Sequence, residues 1–422
     1  MRRVLIWTTT LALAGGTPLF AQHEHAPQGA TTTLASLVAE AEGRNSQVSS
    51  AEHAWQAATH VAPQLTPLPD PQLTVQEFSV GSPKPFAGFS NSDFAYVGFG
   101  VSQDLPYPGK LRLRGVAAER GADTKKAQIE VVRTSVADQV KTIYLRLAYI
   151  RQSMELLERN RAALDLLIQT ETSRYSVGQG SQADILRGQL ERTKLLREMT
   201  MHQQEAGQLE AALKALLHRP QESPDIEPEA LQATAVLRPL EELAALVHSQ
   251  NPALQADRAM VAEQDAHLSS VKREAKPDFN VGYMFQQTGA GYRDYYVATF
   301  NVRLPRRKRV DAEIAEAAET LERSRSDADA DLQQQIAEVK KEAIATESAA
   351  ELMDEYQQGL IPQAESVYQS ELTAYQSDRE KLGPVLGALI DRITFEHDYQ
   401  QALLDHETAL AHLETLTGAE LR

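Results

Sequence analysis

One transition occurs twice in this chain and limits what it can fold into: a short alternating strand gives way, across a proline, to a very long helix. In the first copy Val97, Phe99 and Val101 alternate with Gly98, Gly100 and Ser102, the period-2 pattern of a strand with one apolar face. Gln103-Asp104-Leu105-Pro106-Tyr107-Pro108-Gly109-Lys110-Leu111 follows, and there the helical pattern begins. In the second copy Phe300-Asn301-Val302-Arg303-Leu304-Pro305 makes the same switch. Two equivalent boundaries, at Leu105, Pro106 and Gly109 and again at Leu304 and Pro305, read as a duplication. Proline at these points would end strand pairing and occupy the first helical turn, which has no use for the missing N–H.

Other anchors support the duplication. Leu34, Leu37 and Asn45 find counterparts in Leu240, Leu243 and Asn251, and Pro71 and Val75 in Pro277 and Val281, all at one offset of 206 positions. Each repeat begins with a helical stretch. In the first it ends before Pro63, Pro67, Pro69 and Pro71, which forbid helix. Strands are expected at about 71–78 and 94–103 in the first repeat and at about 278–286 and 295–304 in the second. After Gly109 the apolar positions Ile129, Val132, Val136, Val140, Ile143, Leu147, Ile150, Met154, Leu157, Leu164 and Ile168 step by threes and fours, a coiled-coil seam over several heptads. The helix should run to about Tyr175, turn at Val177-Gly178-Gln179-Gly180-Ser181, and return through Ile185, Leu190, Leu195 and Leu213, making a hairpin over 110–217. The second hairpin, over 305–417, carries Ile314, Leu321, Ile344 and Leu352, turns at Ser377 to Lys381, and returns through Leu386, Leu403 and Leu410. The chain thus divides into residues 1–21, a first repeat 22–218, a Pro- and Glu-rich linker 219–239 and a second repeat 240–422.

The first of these segments is an address. Arg2 and Arg3 precede an apolar run from Val4 to Ala14, followed by a plausible cleavage site after Ala21, the pattern of a secretory signal peptide. The run is shorter than the roughly 20 apolar residues that a membrane-spanning helix needs. Beyond it no stretch is apolar for long enough, so a mature chain that enters a membrane must do so with strands closed into a barrel. Each strand has about the length of a tilted barrel strand. Four strands leave two open edges, so several chains must join, and three would close a barrel of twelve.

Composition removes other classes. The formal net charge is -16 with acidic and basic residues interleaved, which excludes nucleic acid as a natural partner. There is no cysteine, hence no disulfide, thiolate ligand or acylated cysteine anchor. The 11 histidines show no zinc-protease spacing and no nucleophile elbow is present, so neither an enzyme nor a cofactor is expected. His23 and His25, in Gln22-His23-Glu24-His25, are a weak metal pair, since two imidazoles on a flexible tail make a poor site.

The duplicated frame, the boundary stretch Gln103 to Leu111 and the tip motif Arg174-Tyr175-Ser176-Val177-Gly178-Gln179-Gly180-Ser181 resemble the TolC-like outer membrane factors, and within them the heavy-metal efflux branch of CzcC and CusC. The resemblance implies a mainly α protein with membrane β: a trimeric barrel in the bacterial outer membrane, continuing into a long helical tunnel in the periplasm. It implies a homotrimer that meets a periplasmic adaptor and an inner-membrane pump of the RND type and passively conducts solutes outward. Heavy-metal cations are the expected cargo; a drug-efflux or type I secretion duct, and a soluble periplasmic coiled-coil tether, are the alternatives. Three departures stand out: no lipidated cysteine, Asn45-Ser46 where the second repeat has Asn251-Pro252, and no Pro-Gly at the second strand-to-helix switch.

Under that resemblance the turns are the working parts. Val177, Gly178, Gly180 and Ser181 would meet the adaptor, although any helical hairpin needs such glycines to reverse. Asp378, Arg379, Glu380 and Lys381 would become charged rings under three-fold symmetry and gate the entrance, or simply be solvated. Asp327 and Asp331 share a helix face and could line an acidic lumen, against the plainer reading of a solvated face. Arg306, Arg307, Lys308 and Arg309 oppose the helix dipole; outer-membrane lipid phosphates would compensate them, or they form a snorkelling or solvated cluster.

Overall fold

The structure, a computed structural model, describes residues 32–422 apart from 82, 87–91, 93, 235–238, 290, 292, 420 and 422. The expected signal peptide, His23 and His25 lie outside the described residues. Helices α1 (Leu34–Arg44), α2 (Ser46–Thr59) and α3 (Ala62–Leu65) open the first repeat. Strands β1 (Gln72–Phe78) and β2 (Tyr96–Leu105) follow, then α4 (Lys110–Ser176) and α5 (Gln182–Leu216). The second repeat contains α6 (Leu240–Gln250), α7 (Pro252–Arg273), β3 (Asp278–Thr288), β4 (Tyr295–Arg303), α8 (Arg307–Glu355), a π-turn (Tyr356–Leu360), α9 (Ile361–Gln376) and α10 (Leu382–Thr417). At 67 residues α4 is on the order of 100 Å long.

The four strands form one antiparallel sheet in the order β1-β2-β3-β4, so β1 and β4 are its open edges. Registers sort the residues by face. Val75, Phe99, Phe285 and Tyr296 stand in one cross-strand row, and Leu73, Val101, Tyr283 and Ala298 in another on the same face. The opposite face carries Gln72, Ser102, Gly282 and Thr299, then Asp104, Asn280 and Asn301. There Asn301 donates to Asn280 at 3.3 Å and Asn280 to Asp104 at 2.9 Å, a polar ladder. The apolar face is bare: Leu73 is 85% and Phe300 66% exposed. A sheet that shows hydrocarbon on one side and amides on the other suits a wall between lipid and water. Among the described residues no helix is long and apolar enough to cross a membrane.

The core repeats itself as the sequence does. Leu37, Ala41 and Val48 pack with Val140 and Leu213, whereas Leu243, Val247 and Leu254 pack with Val339 and Leu413, residue for counterpart residue. The duplicated asparagines explain how. Asn45 caps α2 by accepting from Gln47 N–H, and its amide donates to the Leu216 carbonyl at 2.9 Å. Asn251 caps α7 by accepting from Leu254 N–H at 2.9 Å and donates to the Leu416 carbonyl at 2.7 Å. Each asparagine therefore starts one helix and satisfies the last turn of the returning helix, two sets of orphan groups with one side chain.

Several expectations need correction. A short helix, α3, occupies the proline-rich stretch, because Pro63 falls in its first turn, where the missing N–H costs nothing. Pro106 and Pro305 do not sit in first helical turns. They lie in the connectors ahead of the caps Gly109 and Arg306, where they end the ladders. The second long helix is interrupted at Tyr356–Leu360, because Pro362, in the first turn of α9, has no N–H to continue the regular ladder. The second strand starts at Tyr96 and runs through Leu105, two residues beyond its expected end. Leu190, Ile344 and Leu352, assigned by spacing to buried seams, are 46–56% exposed on faces that the chain itself does not cover.

Candidate functional site

Three places concentrate unusual geometry: the strand-to-helix boundary, the two tips, and a cluster midway along the helices. At the first boundary Gly109 takes φ 92°, a left-handed conformation that favours glycine, and turns the chain from β2 into α4. The next residue, Lys110, is only 2% exposed, and its ammonium lies 3.1 Å from Glu274 and 2.9 Å from Asp278. Arg114 donates twice to Glu274, Arg273 donates to the Pro108 carbonyl at 2.7 Å, and the Asp278 carboxylate receives the Tyr107 N–H at 3.0 Å. The turn is thus locked to the end of α7 and the start of β3, joining the repeats at one level. Nothing local in the sequence marks Lys110 for burial. At the second boundary Leu304 is 75% exposed, and Arg306, Arg307, Lys308 and Arg309 all face outward at the start of α8, with Arg309 paired to Glu313.

At the first tip Gly178 takes φ 80°, as a tight reversal requires. Gly180 is needed for a different reason: a Cβ there would stand 2.7 Å from the Tyr175 nitrogen and 2.8 Å from a Glu171 oxygen. Glu171, 3% exposed, is the organiser. One oxygen accepts the Ser181 N–H at 2.7 Å and the other accepts the Tyr375 hydroxyl at 2.7 Å. Burial first, then this bond to Glu171, holds the Tyr375 hydroxyl far above its ordinary pKa, so it stays a donor.

The structure brings the two tips together. Arg174 pairs with Asp378, donates to the Tyr375 carbonyl at 3.4 Å, and stacks its guanidinium 4.9 Å from the Tyr375 ring centre. Asp378 itself takes φ 60°. Of the charged residues of the second tip, Asp378 is thus engaged across the tips, while Arg379, Glu380 and Lys381 face outward. Val177 is 70% exposed beside them. Glu171, Arg174 and Tyr375 fasten the two tips to each other; of the three only Arg174 stood in a sequence motif, the tip stretch Arg174 to Ser181, and no role was expected of it. Asp327 and Asp331 are exposed on α8, facing Asp257 of α7, whose carboxyl is raised by burial and then by these two charges.

The third place joins α4, α5 and α10. Glu198 and His202, four apart and so on one helix face, meet His397, with one ligand atom from each lying within 4.8 Å of the others. The Tyr149 hydroxyl is 2.9 Å from His397 Nε2. A Glu-x-x-x-His spacing is visible in the sequence, but only the register of α5 against α10 brings in the second histidine.

Comparison with known proteins adds the following. Residues 37–218 match the family model described as outer membrane efflux protein. No curated protein matches the sequence. Solved structures match over nearly the whole chain: the outer-membrane channel OprN at 14% identity and TM-score 0.79, over 92% of this chain and 90% of that one. The outer membrane protein VceC of Vibrio cholerae matches at 16% and 0.76, over 92% and 97%. CusC, from structures concerned with folding and transmembrane channel formation, matches at 13% and 0.76, over 92% of each chain. At such identities the likeness is one of fold.

Proposed function

We infer that this chain, whose residues 37–218 match the outer membrane efflux protein family model and whose fold matches solved outer-membrane channels, is a TolC-like outer membrane factor that works as the exit duct of a tripartite efflux system. One observation carries the reading. A four-stranded sheet with a bare apolar face, a polar face and two open edges is joined to helices on the order of 100 Å long. The sheet edges need partners, and three copies would close twelve strands around water, the polar ladder of Asp104, Asn280 and Asn301 facing the lumen. The uncovered helix faces that carry Leu190 and Ile344 would then meet neighbouring copies. A soluble tether, the alternative of another class, gives no reason for that sheet.

The tips would be the periplasmic entrance. Val177, Gly178, Gly180 and Ser181 would receive an adaptor, and through it an inner-membrane pump of the RND type. The Glu171–Tyr375 and Arg174–Asp378 links would hold the two hairpins of one protomer together, a latch whose release widens the duct. Arg306 to Arg309, at the inner rim of the barrel, would lie against lipid phosphates. Heavy-metal cations as cargo rest on the sequence resemblance to the CzcC and CusC branch; drug and secretion ducts share the same fold. Two experiments test the reading. The protein should fractionate with the outer membrane as a heat-modifiable, detergent-requiring trimer that conducts ions in planar bilayers, and a water-soluble monomer or dimer rules the duct out. Deleting the gene should lower tolerance to one or more of zinc, cobalt, cadmium, copper or silver; unchanged metal tolerance with a drug phenotype removes the cation assignment.

A further inference from the structure

Midway along the helices, far in sequence from both tips and boundaries, His202 poses a problem of its own. The residue is 8% exposed. Its Nδ1 is 3.9 Å from a Glu205 oxygen, beyond a hydrogen bond, and its Nε2 is buried with no partner among the described residues. A buried polar atom left unpaired is costly, and such atoms are rare enough to need a reason. Around it stand a second imidazole and a carboxylate. His397 Nε2 is 3.8 Å from Glu198 Oε1, and ligand atoms of Glu198, His202 and His397 fall within 4.8 Å of one another.

We propose that Glu198, His202 and His397 form a binding site for a divalent first-row transition-metal ion, zinc being the natural occupant, that staples α10 to α5. Two imidazoles and one carboxylate are the donor set of a three-ligand zinc site, with the fourth position left to water. Softer sites use thiolate or thioether donors and harder ones use carboxylates and carbonyls, so this mixture selects zinc, cobalt, nickel or copper rather than magnesium or calcium. Ligand atoms in a tetrahedral zinc shell are roughly 3.4 Å apart, given bonds of about 2.0–2.1 Å. The group must therefore tighten slightly. The two half-exposed members can move: the side chains of His397 and Glu198 are 30% and 38% exposed, while that of His202, 10% exposed, is held in place. A metal on His397 Nε2 takes the position beside that nitrogen now held by the Tyr149 hydroxyl.

The surroundings suit a cation. Glu205 lies next to the site and is paired with Arg146 at 2.7 Å, which holds its carboxylate in place while offsetting its charge. Asp398, 3.6 Å from His397 Nδ1 and just short of a hydrogen bond, stands where a small turn of the ring would make it the outer-shell carboxylate that orients a metal-bound imidazole.

The test uses the full mature protein, solubilised in detergent, stripped with a chelator and titrated with Co²⁺, whose visible spectrum reports its ligands. One ion per protomer should bind, zinc should displace it, and the His23→Ala/His25→Ala double variant should behave like the wild type. His202→Gln and His397→Gln should weaken binding by at least about 100-fold, more than the 10- to 100-fold of an outer-shell partner. Glu198→Gln, at the most exposed ligand, tests the site without disturbing the core and should weaken binding at least about 10-fold. No cobalt spectrum in the wild type, a spectrum unchanged in these three variants, or one abolished by the double variant overturns the site. Bilayer conductance is a separate readout, so loss of the metal site leaves the duct reading intact.

Discussion

Tyr375→Phe removes one oxygen atom at the proposed entrance and weighs the two links between the tips against each other. The Tyr375 ring is 2% exposed and stays under the Arg174 guanidinium in the variant, so packing is retained. What disappears is the donor to Glu171, which is 3% exposed and, among the described residues, keeps only its bond from Ser181 N–H. A hydrogen bond to a charged group is worth about 1.5–3 kcal/mol, which is about a 10- to 150-fold shift per protomer between joined and separated tips. The Arg174–Asp378 pair looks stronger on paper but is worth less. Asp378 is 72% exposed, and ion pairs in water contribute at most about 1 kcal/mol. Single-channel recording in planar bilayers should therefore find long closed states shortened strongly in Tyr375→Phe and weakly in Asp378→Asn, with three latches adding in a trimer. Closed dwell times in Tyr375→Phe that match the wild type, or a larger effect from Asp378→Asn, refute the latch and this ranking.

Other perturbations follow from the same geometry. Lys110→Gln leaves Glu274 and Asp278 facing one another with only Arg114 in compensation, and should cost about 3–5 kcal/mol, read as a lower dissociation temperature of the assembled protein. Asn251→Ala should cost about 2–4 kcal/mol, a lost cap plus a stranded Leu416 carbonyl, whereas Asn251→Ser should recover the cap part alone; equal losses would show that capping is not involved. The His412–Asp138 pair, 2.9 Å apart, should make stability depend on pH. Its hydrogen bond to Asp138 raises His412, against burial; burial pushes Asp138 up, but His412 and Thr415 hold it below its usual value. The His412 contribution is complete below about pH 6.5 and fades as pH rises through its raised folded value. Asp138→Asn should therefore destabilise more at pH 6 than at pH 9, and a loss independent of pH removes the pair from the account.

The sequence by itself determined the duplication, the strand alternation and the long seams, because these depend on periodicities that close within two to seven residues. Leu37 and Leu243, or Val140 and Val339, could be matched by offset, and they occupy equivalent cores. Asn45 and Asn251 were recognisable as counterparts, although not as the side chains that also hold the ends of α5 and α10. What the tertiary structure alone decided is who meets whom across the repeats. Glu171 and Tyr375 are 204 positions apart, as are Arg174 and Asp378, and His397 reaches His202 from another helix altogether. Such pairs depend on the register of one long helix against another, and a shift of one turn, about 5.4 Å, would leave every local pattern intact while separating them all. The charged run at the second tip was legible as charge; that Asp378 turns to the first tip while Lys381 faces outward is a property of the packed hairpins.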